Sequence, residues 1–176
     1  MIAGDRPVVC FVCTGNAARS VMARRMFVEL EPGFRATSAG TLVLEGHPMS
    51  SRTRSALRDH GLTDPDHRSR QFGEEQAAAD LIVVMEPDHV AWIRRHHPGA
   101  ADRTATLPRL VRDLSVVGTL SDRVAALGLA DVEVEPWEEV IDPAAGDQAV
   151  FDACAAEIHL LVEALVEALA ARLPDA

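Results

Sequence analysis

Pro7-Val8-Val9-Cys10-Phe11-Val12 runs directly into Cys13-Thr14-Gly15-Asn16-Ala17-Ala18-Arg19-Ser20, and the chain from Val21 to Leu30 then places Met22, Met26, Phe27 and Leu30 at helical spacing. A short continuous apolar run is the pattern of a strand buried on both faces of a parallel sheet. The small and polar residues after it cannot prolong that strand. The sequence therefore predicts strand, small-residue loop and helix, which is the opening of a βαβ unit. Pro32-Gly33 marks the stop of the helix.

Downstream, Phe34 to Ala39 fits a second strand ending in Ser38-Ala39-Gly40-Thr41. A helix is expected from Ser50 to His60, with Gly61 as its C′ residue. Ala79 to Met85 contains a second fully apolar strand, Leu81-Ile82-Val83-Val84. Pro87 opens a helix running to His96 and stopped by Pro98-Gly99. Thr104 to Leu107 fits a fourth short strand. Leu110 to Leu114 and Leu120 to Leu127 read as helical, with Gly128 placed to cap the second. The last helix, Gln148 to Leu173, carries Val150, Ile158, Leu161, Val162, Leu165 and Leu169 on a broad apolar face.

No repeat, low-complexity tract or linker interrupts this alternation. It predicts an α/β fold: a three-layer αβα arrangement around a central parallel four-stranded sheet, in one domain spanning 1–176. Ligands of such sheets bind beyond the carboxyl ends of the strands, where the Cys13 loop lies.

The chain has 176 residues and a net charge of −10, with 17 Lys and Arg against 27 Asp and Glu. A nucleic-acid partner is disfavoured, because it needs a broad basic surface. An anion would have to be held at a focused site. Basic residues do gather locally, at Arg19, Arg24 and Arg25 and at Arg68 and Arg70. There is no Tyr, so no binding slot here can contain one. The three cysteines, Cys10, Cys13 and Cys154, are too few for a disulfide framework. The first residues, with Asp5 and Arg6, do not read as a signal peptide, and no apolar run reaches the ~20 residues of a membrane span. These features lead us to expect a cytoplasmic protein with no membrane partner. Nothing in the pattern points to a particular oligomeric state.

The residues of the loop suit oxyanion chemistry. Thr14, Gly15, Ala17 and Ala18 are small enough to let backbone N–H groups turn inward as an anion-binding nest. Gly15 and Asn16 are residue types that accept the positive φ such a turn needs. The helix that starts near Ser20 contributes the positive end of its dipole. Arg19 offers a planar fork for two phosphate oxygens. Cys13 at the mouth of this cradle would be favoured as thiolate, the form that attacks phosphorus. Ser20 is placed to hydrogen-bond the sulfur and ease its departure. The bland alternative, a buried inert thiol at a strand end, loses ground once Cys-x5-Arg-Ser stands between an apolar strand and a helix.

The segment from Val12 to Ser20 resembles the signature loop of low-molecular-weight protein tyrosine phosphatases and their arsenate-reductase relatives. The likeness extends to Ser38-Ala39-Gly40-Thr41, Asp66-His67-Arg68-Ser69-Arg70, Asp80 to Met85 and Asp142-Pro143, with an apparent insertion between Leu114 and Val140. It implies a phosphomonoesterase working through a phosphocysteine, without metal or cofactor, on a phosphorylated protein or a small phosphate ester. By the same resemblance Asp142 is the general acid and base; on its own, any Asp-Pro pair could be a turn former. Asp147 is a spare candidate that reads better as a first-turn residue of the last helix.

The chain also departs from the family pattern. Ala144 and Ala145 stand where the phosphatases usually carry two aromatic residues, so the slot should be wider and phosphotyrosine a less certain substrate. The opposite side, His47 to Ser51, has no aromatic residue either. Trp92 and Trp137 could compensate, but each fits a core or interface position better. Ala18 replaces a cysteine that can shield the nucleophile, and Val21 replaces a proline. Two other readings are an arsenate reductase using an external thiol and a non-catalytic phosphate-binding module. Cys10-x-x-Cys13 is discounted as a metal or redox pair, because it straddles a strand end with its side chains expected on opposite faces. Cys154 reads as apolar filler, and the seven histidines, lacking ligand spacing, read as solvated surface, except that the resemblance implies a structural role, without chemistry, for His67.

Overall fold

The computed structural model describes residues 6–31 and 33–170. β1 (Val8–Cys13) leads through the loop to α1 (Arg19–Leu30), then β2 (Arg35–Gly40), α2 (Ser51–Asp59) and a short α3 (Glu74–Ala77). β3 (Leu81–Val84), α4 (Pro87–His96), β4 (Thr104–Thr106), α5 (Leu107–Asp113), α6 (Leu120–Ala125) and α7 (Gln148–Ala170) follow. The strands form one parallel sheet in the order β2-β1-β3-β4. This is the expected four-stranded α/β architecture.

Side chains alternate across the sheet. Val9, Phe11 and Cys13 face one apolar cluster with α1, α2, α5 and α7, while Cys10 and Val12 face a second with Phe72, Val90 and Ile93. Cys10 and Cys13 do leave opposite faces. The long α7 buries Phe151, Cys154, Ala155, Ile158, Val162, Leu165 and Leu169, a three-and-four spacing that lays one stripe on the core.

Several boundaries differ from the sequence expectation. α5 starts at Leu107, because the Thr106 side chain accepts from Arg109 N and caps the helix, and Pro108 suits its first turn. Pro98-Gly99 opens a 3₁₀ turn to Arg103 instead of ending structure there. α3, only one turn long, has no counterpart among the sequence expectations. Gly61 does sit at φ +72 after the α2 C-cap. α1 ends at Leu30, and the stop assigned to Pro32 lies outside the described residues, as does the end of the last helix beyond Ala170.

The stretch between α5 and α7 is fastened by arginines. Arg94 Nη2 donates to the carbonyls of Leu129 and Val132 at 2.6 and 2.7 Å. Arg123, almost fully buried, donates to Ser115 O and to Ala168 O near the end of α7. Arg109 pairs with the fully buried Glu138, whose carboxylate also accepts from Thr106. Burial alone would raise the Glu138 pKa, but these hydrogen bonds hold it below the usual carboxylate range. Val140 N then donates to Met85 O at 2.8 Å, fixing the chain just ahead of Asp142 beside the end of β3.

Candidate active site

The loop leaving β1 turns its carbonyls outward. Cys13 O and Thr14 O accept from Thr41 N and Leu42 N, both at 3.0 Å. Asn16 O accepts from His67 Nε2 at 2.8 Å and Ser69 Oγ at 2.9 Å. Ala17 O accepts from Thr53 Oγ1 at 2.8 Å, and Ala18 O from Met22 N. No peptide bond among the described residues is cis. In a trans peptide the N–H of the next residue points opposite to the carbonyl. The amides of Thr14, Gly15, Ala17, Ala18 and Arg19 are therefore turned away from these partners, toward the inside of the loop. No side chain caps α1 at Ala18, and its first turn holds no acid, so its N-terminal amides add to the same positive concavity.

Asn16 is the hub of the loop. It is fully buried at φ 50, a conformation Asn tolerates better than most residues. Its Oδ1 accepts from Arg70 N and its Nδ2 donates to Ser20 Oγ, both at 3.0 Å. Ser20 Oγ lies 3.0 Å from Cys13 Sγ. The nucleophile candidate is thus held by Ser20, which is held by Asn16, which is fixed from behind by the 67–70 segment.

Gly40 permits the close approach of β2. A Cβ there would lie 2.4 Å from Thr14 O and 2.9 Å from Asn16 N. Gly40→Ala should cost roughly 1–3 kcal/mol in urea unfolding, since the backbone of the loop must move to make room, and should slow any reaction at Cys13. Unchanged stability and rate would show that the loop tolerates the shift.

Arg19 is 2% exposed and reaches across the mouth. Its Nη1 donates to Glu86 Oε2 at 2.5 Å and to Val140 O at 2.8 Å, and its Nη2 to Asp142 Oδ2 at 3.0 Å. Asp142 Oδ1 accepts from Ala144 N at 3.1 Å. The structure thus gathers Cys13, Arg19, Ser20 and Asp142 around one loop. Asp147 stands immediately before α7, one residue ahead of the first turn expected for it, and its Oδ1 accepts from Val150 N.

Two residues here were not singled out from the sequence. Glu86 and His89 lie at the start of α4, just beyond β3. His89 Nε2 is 3.0 Å from Thr14 Oγ1. Glu86 and His89 both stand beyond the carboxyl end of β3, where sites in such sheets also form, and that position is the signal the sequence carries for the Glu86–His89 turn. The surface reading of the histidines is corrected at His89, which is 2% exposed, while His67, 7% exposed, fits the structural role that the resemblance gives it. His67 serves the loop from behind; burial lowers its pKa, against the opposing hydrogen bond to Asn16.

Neither tryptophan lines the slot. Trp92 packs with Phe72, His96 and His97, and Trp137 lies under the Arg112 guanidinium at 3.9 Å. Burial pushes the thiols of Cys10 and Cys154 up to about 12, so neither is available as a thiolate at neutral pH. Among the described residues no group of three or more His, Cys, Asp or Glu side chains is placed to hold a metal ion, and no helix is long and apolar enough to cross a membrane.

The family profile described as low molecular weight phosphotyrosine protein phosphatase matches residues 8–174. The chain belongs to this family. A protein-arginine-phosphatase of Geobacillus stearothermophilus is 30% identical over 163 residues, covering 92% of this chain and 95% of that protein. The solved structure of the YwlE arginine phosphatase from the same organism superimposes with a TM-score of 0.74 at 28% identity, covering 92% and 91% of the two chains. Low molecular weight protein-tyrosine phosphatase A of Mycobacterium tuberculosis is 42% identical over 94 residues, 49% of this chain; the match spans only 57% of that relative's length.

Proposed function

We propose that this family member is a cysteine-dependent phosphatase that hydrolyses phosphorylated protein side chains through a phosphocysteine at Cys13, with phosphoarginine favoured over phosphotyrosine. The observation that carries the reading is the ring of outward carbonyls, which turns the amides of the loop toward the concavity that Cys13 enters.

In the proposed reaction the Cys13 thiolate attacks phosphorus. A P–S bond forms as the bond to the leaving oxygen or nitrogen breaks, and Asp142 delivers a proton to the departing atom. Thr14, Gly15, Ala17 and Ala18 contribute loop amides, while Asn16 and Ser20 hold the loop and the sulfur. The three Arg19 bonds seen here use three of its five N–H groups, so Nε–H and one Nη2–H remain for phosphoryl oxygens. Water then attacks the phosphocysteine with Asp142 as base, and sulfur leaves toward the Ser20 hydroxyl. The products are the free side chain and inorganic phosphate.

The substrate preference rests on the rim. Ala144 and Ala145 offer no ring to stack on a phosphotyrosine, and the exposed large apolar residues in the segments that flank the loop and the acid, Leu42, Leu44 and Ile141, are aliphatic. Such a mouth suits an alkyl stem. A relative matched over nearly its whole length is a protein-arginine-phosphatase. The low, odd cysteine count supports a reducing compartment, which we take to be the cytoplasm.

The decisive measurement is kcat/KM for one peptide carrying phosphoarginine or phosphotyrosine, with rapid acid quench and mass spectrometry of the Cys13 peptide. Phosphoryl on Cys13 and a higher kcat/KM for phosphoarginine are expected. Turnover without that adduct would end the mechanism; preference for phosphotyrosine would end the substrate assignment. Asp142→Asn should slow substrates with poor leaving groups by about 10²-fold or more and p-nitrophenyl phosphate far less, as judged from kcat across a leaving-group series. An arsenate reductase using an external thiol would be indifferent to this substitution.

A further inference from the structure

Outside the residues already assigned, α4 presents the loop with an unusual partner. His89 is 2% exposed, and its Nε2 lies 3.0 Å from Thr14 Oγ1 and 3.4 Å from Glu86 Oε1. Its Nδ1 is buried with no hydrogen-bond partner. The other oxygen of Glu86, Oε2, receives Arg19 Nη1. A line of contacts therefore runs from Thr14, the first residue after the nucleophile, through His89 and Glu86 to Arg19 at the far end of the loop. Its two middle members are the N-cap residue and a first-turn residue of α4.

We infer that His89 is a positioning residue for the proposed reaction, a neutral imidazole with its proton on Nε2 that sets Thr14 and thereby the front of the phosphate loop. The tautomer follows from the neighbours. A carboxylate only accepts, so an Nε2 lone pair facing Glu86 Oε1 would be repelled, whereas Nε2–H is attracted to both oxygens. The opposite tautomer would also leave a buried N–H at Nδ1 without an acceptor, beside that repulsion. With Nε2–H directed at it, Thr14 Oγ1 accepts, and its own hydroxyl proton is free to turn toward an oxyanion in the loop.

The charge of the imidazole is consistent with this role. Burial, with Arg19 nearby, lowers the His89 pKa to about 3; Asp142 and Asp88 oppose the shift. His89 therefore stays uncharged throughout the neutral range. It can orient Thr14 without adding a second cation that would compete with Arg19 for Glu86 and Asp142.

This inference rests on the phosphatase reading, and the test separates the two. His89→Met, His89→Gln and Thr14→Val, singly and with Thr14→Val combined with His89→Met, are compared with wild type in the full chain. His89→Met should lower kcat by about 10- to 100-fold while KM moves much less, the expected scale for a displaced catalytic loop. Thr14→Val should lose at least as much, since it also removes the hydroxyl itself, and the double variant should be no worse than Thr14→Val alone, because both changes remove one contact. His89→Gln keeps an N–H donor near the Nε2 position and should recover most of the loss. Equal rates for the Gln and Met variants, or additive losses in the double variant, would overturn the inference. Nitrogen-15 NMR of the wild type should show neutral Nε2–H imidazole between about pH 5 and 8; an Nδ1–H tautomer or an imidazolium would overturn it. If wild type turns over no phosphorylated substrate, the phosphatase reading fails by itself. Inorganic phosphate titrated into the same variants then decides the role of His89, weaker binding with Met but not Gln supporting it and equal binding refuting it.

Discussion

Cys13→Ser should be without turnover, slower than wild type by about 10⁴-fold or more, while still binding inorganic phosphate within roughly tenfold of wild-type affinity. A serine hydroxyl is un-ionised at neutral pH and a far weaker nucleophile than a thiolate. The rest of the site does not depend on the sulfur. Asn16 keeps its bonds to Ser20, Arg70, His67 and Ser69, and the outward carbonyls keep their partners. Binding and chemistry should thus separate cleanly, in isothermal titration against phosphate and in steady-state assays. Retained turnover in this variant would remove Cys13 from the mechanism altogether. Lost phosphate binding together with a lowered melting temperature would mean that the Cys13–Ser20 contact is needed to build the loop.

The second large effect belongs to Arg19→Lys, which should lower kcat/KM by about 10³-fold although the formal charge is unchanged. One guanidinium here bonds Glu86, the Val140 carbonyl and Asp142 simultaneously, and a planar fork can do this while keeping an edge for an anion. An ammonium is a point donor on a shorter reach. It can satisfy Glu86 or an incoming phosphoryl group, not both in one plane. Removing the guanidinium also frees the segment at Val140 that leads to Asp142, so the loss should exceed that of a phosphate contact alone. The measurement is kcat/KM with the phosphate dissociation constant, beside a thermal melt to confirm folding. A lysine variant within tenfold of wild type would show that charge alone, without bidentate geometry, suffices.

The loop could be read from sequence because all its determinants are local. An apolar strand, small residues, an Arg and a helix stand in consecutive positions, and the structure keeps them in that order from Val8 to Leu30. The resemblance supplied Asp142, and the structure brings it against Arg19 from 123 positions away. Glu86 and His89 stayed hidden for a physical reason. Each meets the loop across 67 or more positions, and a polar residue at a helix start looks the same in sequence whether it caps, solvates or reaches a site. The stretch from Ser115 to Glu139 was opaque for a related cause. Its order comes from Arg94, Arg109 and Arg123 donating to carbonyls and to one buried carboxylate, and a sequence does not distinguish an arginine bound to backbone from one in water. Asn16 was recognised as a turn residue, but its role as hub depends on partners in the 67–70 segment that the spacing alone did not pair with it.

The fastening of that stretch has a bearing on how the chain can be altered. Glu138 is locked to Arg109 and Val140 to the end of β3, both downstream of the exposed Val116 and Val117. A change of length near Val116 meets these two anchors before it reaches Asp142. The molecule is thereby divided into a modifiable outer arc and an insulated reactive end. A fluorescent reporter or a tether spliced at Val116 would ride on the outer arc, leaving the acid in register with the loop it serves.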